Sequence, residues 1–236
     1  MDRRDFLKGM ISSGVMVSSS GDLLSETLHT KKSENRNRPD VNSRNNVPAA
    51  IKLIGIGGCG ITVVNAAITH GLQNVDYIAI DTDAEVLKRS KAVNAIHVNS
   101  FMSCMIDERV LDDATLVSDV GKKMLAPYAD RIAPLIADAE KIFIVAGLGG
   151  ETSMITLAIA EIAHNSGAPT TAIVTFPFGF EGLRKHCTAE DCVAAMEQRH
   201  YKTVLIVNDR FVNRQETLNE YFSRCDQHIV DIINNS

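Results

Sequence analysis

The chain has no tryptophan, only 5% aromatic residues and no basic surplus; its formal net charge is -5 over 236 residues. That acidic balance argues against general nucleic-acid binding, which needs a basic face. Cysteine is sparse. The five present (Cys59, Cys104, Cys187, Cys192 and Cys225) form no CxxC pair and are odd in number. They read as reduced thiols, not a disulfide framework, and the spacing of His186, Cys187 and Cys192 matches no metal template. No apolar run approaches the ~20 residues needed to span a bilayer, so no transmembrane segment is expected. What the chain does have is 45% hydrophobic residues, enough for one sizeable α/β core.

The N-terminal stretch differs from the rest. Asp2-Arg3-Arg4-Asp5-Phe6-Leu7-Lys8 runs into the mildly apolar Gly9 to Val17. This resembles a twin-arginine export signal, and a disordered basic leader is the other reading. Ser25 to Asn46 is rich in Ser, Asn, Lys and Arg without apolar periodicity, as in a flexible linker. The expected division is a leader over 1–48 and one folded domain over 49–236.

From Ile51 onward, apolar runs alternate with helical patterns. Strands are expected over 51–56, 76–81, 95–98, 141–146, 170–175 and 203–207, all nearly continuous in hydrophobicity, as for strands covered on both faces. Helices are expected over 60–71, 117–138, 153–166, 188–199 and 214–233, with Thr188 and Asp191 at the spacing of a capping box. Such alternation predicts an α/β fold, a Rossmann-like doubly wound and mostly parallel sheet. The stretch from Asn99 to Asp119 is less regular and holds the pairs Asp107-Glu108 and Asp112-Asp113, read as a solvated loop.

Two glycine-rich turns stand at strand ends: Gly55-Ile56-Gly57-Gly58-Cys59-Gly60 and Gly147-Leu148-Gly149-Gly150. Glycine lets backbone N–H groups approach an anion, and a following helix adds its positive dipole end. One turn is a weak signal; two suggest a grip on the phosphates of a single nucleotide. Asp81-Thr82-Asp83 closes the second strand, where a dinucleotide-binding unit would place a ribose-holding acid. On that half alone, an NAD-binding oxidoreductase is a fair reading. The second half adds Phe178-Gly179-Phe180-Glu181-Gly182 and Asn208-Asp209-Arg210, each at a strand's carboxyl end.

Taken in order, these segments make the chain resemble the GTPase domain of the tubulin/FtsZ family, from about Ile51 to Arg210 and more weakly into the last helix. The resemblance implies GTP or GDP as ligand, with Mg²⁺ on the phosphates. It implies a site built from Gly57, Gly58, Cys59, Gly60 and Thr62, then from Gly149, Gly150, Glu151, Thr152 and Ser153 around the β- and γ-phosphates. Glu181 would accept from the ribose, Lys185 would contact the nucleotide, and Asp209, with Asn208 beside it, would accept from the guanine N1 and exocyclic amine. A carboxylate rewards that donor–donor edge and leaves adenine unmatched.

The chain also departs from the family pattern. Glu151 puts a negative charge where phosphate should lie, a repulsion of roughly 4 kcal/mol at ~4 Å and an effective dielectric near 20 unless the side chain turns away. The family's water-positioning loop, which enters a neighbouring subunit, follows a long central helix, and this sequence stops inside that helix. The expectation is therefore guanine-nucleotide binding with weak GTPase activity, a partner subunit or self-association supplying the missing carboxylates. A non-enzymatic protein that docks on filaments is the alternative from another class. Arg3-Arg4 points to export, but GTP is a cytoplasmic ligand, so the expected localisation is the cytoplasm.

Overall fold

A computed structural model describes residues 16–17, 50–100, 114–213 and 215–236. Among them, seven parallel strands form one sheet: β1 (Met16–Val17), β2 (Ala50–Ile56), β3 (Val75–Asp81), β4 (Asn94–His97), β5 (Ala139–Gly147), β6 (Thr170–Phe176) and β7 (Lys202–Val207). Their order is β1-β7-β6-β5-β2-β3-β4. All six expected strands are present. The carboxylate pairs between residues 107 and 113, Cys104 and Arg3-Arg4 lie outside the described residues.

Why the sheet is parallel and covered on both faces follows from its side chains. Leu53, Phe143, Val145, Ile173, Val204 and Ile206 face one core layer, and their neighbours Ile54, Ile144, Val174 and Leu205 face the other. The helices are α1 (Gly57–His70), α2 (Ala84–Leu87), α3 (Ala114–Leu125), α4 (Ala129–Ile136), α5 (Glu151–Asn165), α6 (Leu183–Gln198), α7 (Asn208–Phe211) and α8 (Leu218–Asn234). Helices α1 and α8 cover the first face; α3, α5 and α6 cover the second. Strand order reverses across the sheet between β2 and β5, because β2 leads to β3 on one side and β5 leads to β6 on the other. That switch point is where parallel α/β sheets open a crevice at their carboxyl edge.

Two helix expectations need correction. The single helix over 117–138 is broken by a 3₁₀ turn at Ala126–Tyr128, where Pro127 lacks the N–H that would continue the ladder. Thr188 is not a cap: α6 already begins at Leu183, after Gly182 at φ +100, and the Thr188 hydroxyl donates to the Arg184 carbonyl inside it. The capping box lies elsewhere, at Thr217 and Glu220, where each side chain accepts from the other's N–H at the start of α8.

Helix α3 approaches α5 very closely at Gly121, where an added Cβ would stand 2.1 Å from the Met154 carbonyl oxygen. Backbone cannot yield as a flexible side chain would, so Gly121→Ala must separate the two helices. The expected loss is about 1–3 kcal/mol of unfolding free energy, read from urea denaturation with the slope unchanged.

Candidate nucleotide-binding site

The two glycine turns emerge side by side from β2 and β5, whose registers pair Ile56 with Ala146. Helix α1 starts at Gly57, held at φ +71, a left-handed conformation that favours glycine. A Cβ there would also meet Thr152 Cγ2 at 2.4 Å. Helix α5 starts after Gly149 at φ +112 and Gly150. The turns touch again where a Cβ on Gly147 would stand 3.1 Å from Cys59 Cβ. Neither helix has a side-chain cap, so the donors of both first turns face the same crevice.

The glycines divide by role. Gly60 is a packing residue: its added Cβ would lie 2.3 Å from the Val145 carbonyl oxygen, so α1 rests on the β5 backbone. Gly58 and Gly150 face open space, with nothing nearer than 4.0 Å at the first and nothing within 4 Å at the second. These two positions let a ligand approach the backbone.

Several expected side chains are engaged locally. Ser153 is fully buried and its hydroxyl accepts from the Gly149 N–H at 2.9 Å. Thr152 donates to the Gly147 carbonyl. Both side chains therefore shape the loop, and the Leu148, Gly149 and Ser153 N–H groups are spent inside the fold on the Thr175 carbonyl, the Ser153 hydroxyl and the Gly150 carbonyl. The Glu151 carboxylate accepts from the Ser100 hydroxyl at 2.7 and 3.0 Å, which anchors the charge toward the end of the β4 connection. Cys59 lies against Thr175, Sγ to Oγ1 3.7 Å, and burial pushes its thiol up to about 12. A thiol that stays protonated is a poor nucleophile.

Beyond β6, the loop at Phe178–Gly182 folds on its own carboxylate. Glu181 accepts from the Phe178 N–H at 2.9 Å and from Lys185 Nζ at 2.8 Å. Burial opposes its ionisation, but the Lys185 ammonium and that N–H hold it below the usual carboxylate range. Lys185 also borders the signature loop: a Cβ on Gly149 would be 3.0 Å from its own. Both Asp209 oxygens accept from the Gly179 N–H, at 3.2 and 3.1 Å. Asn208 is buried, and its Oδ1 accepts from the Tyr221 hydroxyl at 3.0 Å.

The model of the tubulin/FtsZ family's GTPase domain matches residues 50–215. The chain belongs to this family. Among solved structures it is similar to FtsZ of M. jannaschii, with TM-score 0.64 and 25% identity over 80% of this chain and 54% of that one. It is similar in fold to CetZ of Methanosaeta thermophila (0.61, 20% identity, 78% of this chain and 52% of that one). TubZ of Clostridium botulinum phage c-st gives 0.58 and 16% identity over 78% of this chain and 58% of that one. The chain spans about half the length of these solved members.

Two site residues escaped the sequence reading. Asp226, on α8, accepts from the Thr62 hydroxyl at 3.4 Å, and burial pushes its carboxyl up to about 6 against the lowering effect of that hydroxyl. The signal was present: Asp226 stands beside Cys225 in the Tyr221, Cys225, Ile229 stripe that buries α8. Ser100 gave no signal of its own. The acids expected for a dinucleotide's ribose are instead used in their own turn, Asp83 accepting from the Glu85 N–H and Asp81 Oδ1 from the Asp83 N–H. Asp81 Oδ2 is buried with no hydrogen-bond partner among the described residues, and burial raises its pKa.

The half-buried Cys59 thiol provides a direct check on this geometry. Iodoacetamide on the native protein should alkylate exposed Cys187 and spare Cys59, with both modified after unfolding, as read by peptide mass mapping.

Proposed function

We propose that this chain binds guanine nucleotide in the crevice between α1 and α5, the phosphates on the two helix N-termini. The observation that carries the reading is the meeting of the turns, Gly57 against Thr152 and Cys59 against Gly147, at the switch point of the sheet. Gly58 and Gly150 provide the open approach. Lys185 provides a positive charge at the edge of the second turn.

Mg²⁺ suits this rim. Among the described residues no three His, Cys, Asp or Glu side chains gather into a metal cage. A hard cation in this reading would ride on phosphate oxygens. Its chemistry there is charge neutralisation. The guanine edge is assigned to Asp226 ahead of Asp209. Both oxygens of Asp209 already hold the Gly179 N–H, whereas Asp226 faces Thr62 at the open side of α1. Hydrolysis in this reading is weak, and a partner subunit supplies the water-positioning carboxylates.

Calorimetric titration of the full chain with GTP, GDP, ATP and NADH in the presence of Mg²⁺ tests the ligand. Guanine-selective binding supports the reading. Binding of none would leave a docking module, and NADH alone would return the dinucleotide reading.

Asp226 makes the pH dependence specific. A carboxylate must be ionised to accept two donors from guanine, so affinity should fall as pH is lowered through about 6. Asp226→Asn should weaken GDP binding about tenfold or more and flatten that pH profile. Stability should move the other way. A carboxyl whose folded pKa is raised costs stability as pH rises from its unfolded pKa, near 4, through its folded one. The same variant should then melt higher than the parent at neutral pH and no higher below about 4.

A further inference from the structure

The two helix ends that face the crevice differ in charge. The first turn of α1 holds no acid, whereas α5 opens on Glu151. Ser100, three residues past the end of β4, donates to both oxygens of that carboxylate. The hydroxyl is neutral, so this bond fixes where the charge stands and cancels none of it. Lys185, the cation that borders the same turn, is paired with Glu181 at 2.8 Å. Among the described residues no ion pair includes Glu151.

An acid in the first turn of a helix answers part of the positive charge at that end, which then attracts a further anion less. Donors do remain there. The N–H groups of Gly150, Glu151 and Thr152 have no acceptor among the described residues. The end of α5 is therefore still able to hydrogen-bond an anion, but it tolerates little added charge.

We propose that Glu151 is a specificity residue, which makes this site take a nucleoside diphosphate in preference to a triphosphate. The inference rests on the guanine-nucleotide reading above and deepens it. A third phosphate adds at least one negative charge near a carboxylate that no cation offsets. Coulomb repulsion grows with that charge whichever helix end the third group meets. Hydrogen bonding at α5 does not repay it, because the Leu148, Gly149 and Ser153 N–H groups are already spent inside the fold. The three free ones serve a diphosphate as well as a triphosphate. Ser100 is the positioning residue, since it holds the Glu151 charge in one place beside the crevice.

Calorimetric titration of the full chain with GDP and with the β,γ-imido analogue of GTP, which resists hydrolysis, tests this at one Mg²⁺ concentration. At low salt the parent should bind GDP about tenfold or more tightly than the analogue. Glu151→Gln keeps an acceptor for Ser100 and removes the charge. The gap should then close to about twofold or less, mainly through tighter binding of the analogue. Glu151→Asp keeps the charge and should keep the gap. Raising salt from about 0.05 to about 0.5 M should narrow the gap in the parent and leave it unchanged in Glu151→Gln, a response that a packing role for Glu151 would not give. Equal affinity of the parent for the two nucleotides overturns the proposal and leaves the guanine reading standing, as does an undiminished gap in Glu151→Gln. Binding of neither nucleotide by parent or variant overturns both.

Discussion

Everything at the carboxyl edge of this sheet depends on one close approach, that of α1 to the backbone of β5. Gly60 allows it, because any side chain there would press into the Val145 carbonyl. With α1 lying that low, the turn before it can reach the turn before α5, and two helix ends that are far apart in sequence present their N–H groups to one space. The strand order makes the meeting possible and the missing Cβ atoms make it tight. A larger residue at Gly60 would lift α1 from the sheet and part the two turns, whatever the ligand.

Charge in the crevice is handled locally, acid by acid. Glu151 is given to Ser100, Glu181 to Lys185 and the Phe178 N–H, and Asp209 to the Gly179 N–H. Each of these carboxylates is tied to a donor from its own neighbourhood, and only Glu181 is offset by a cation. Asp226 is less well compensated. Its burial costs more than the Thr62 hydroxyl returns, and its raised pKa records that imbalance.

The strands and both glycine turns were legible in the sequence because their signals are local: β-branched runs, then glycines where a helix must start abruptly. The helices were less so. Each of those following a glycine turn begins a few residues earlier than its apolar spacing suggests, since the turn itself forms the first helical residues, as Gly57 and Glu151 do. Thr188 and Asp191 imitate a cap, but Gly182 has already started the helix. Within the site, the distinction between Gly60 as packing and Gly58 as approach is not written in the motif; it depends on what lies above each α-carbon. The stripe that buries α8 marks Asp226 as lying beside the core, but its partner Thr62, 164 residues away, is not written there.

Helix α8 runs against the strands. Near its start, Tyr221 bonds Asn208 at the carboxyl end of β7, and just past its end the Ser236 carbonyl accepts from Lys141 Nζ at the amino end of β5. At 1.5 Å per residue this helix is a rod of roughly 25 Å, and helices are stiff along their axes. Thr62 and Asn208 hold it on the crevice side, Lys141 on the far side. An axial slide at the mouth would be carried along such a rod to the opposite pole of the domain, because contacts at both ends hold the same helix.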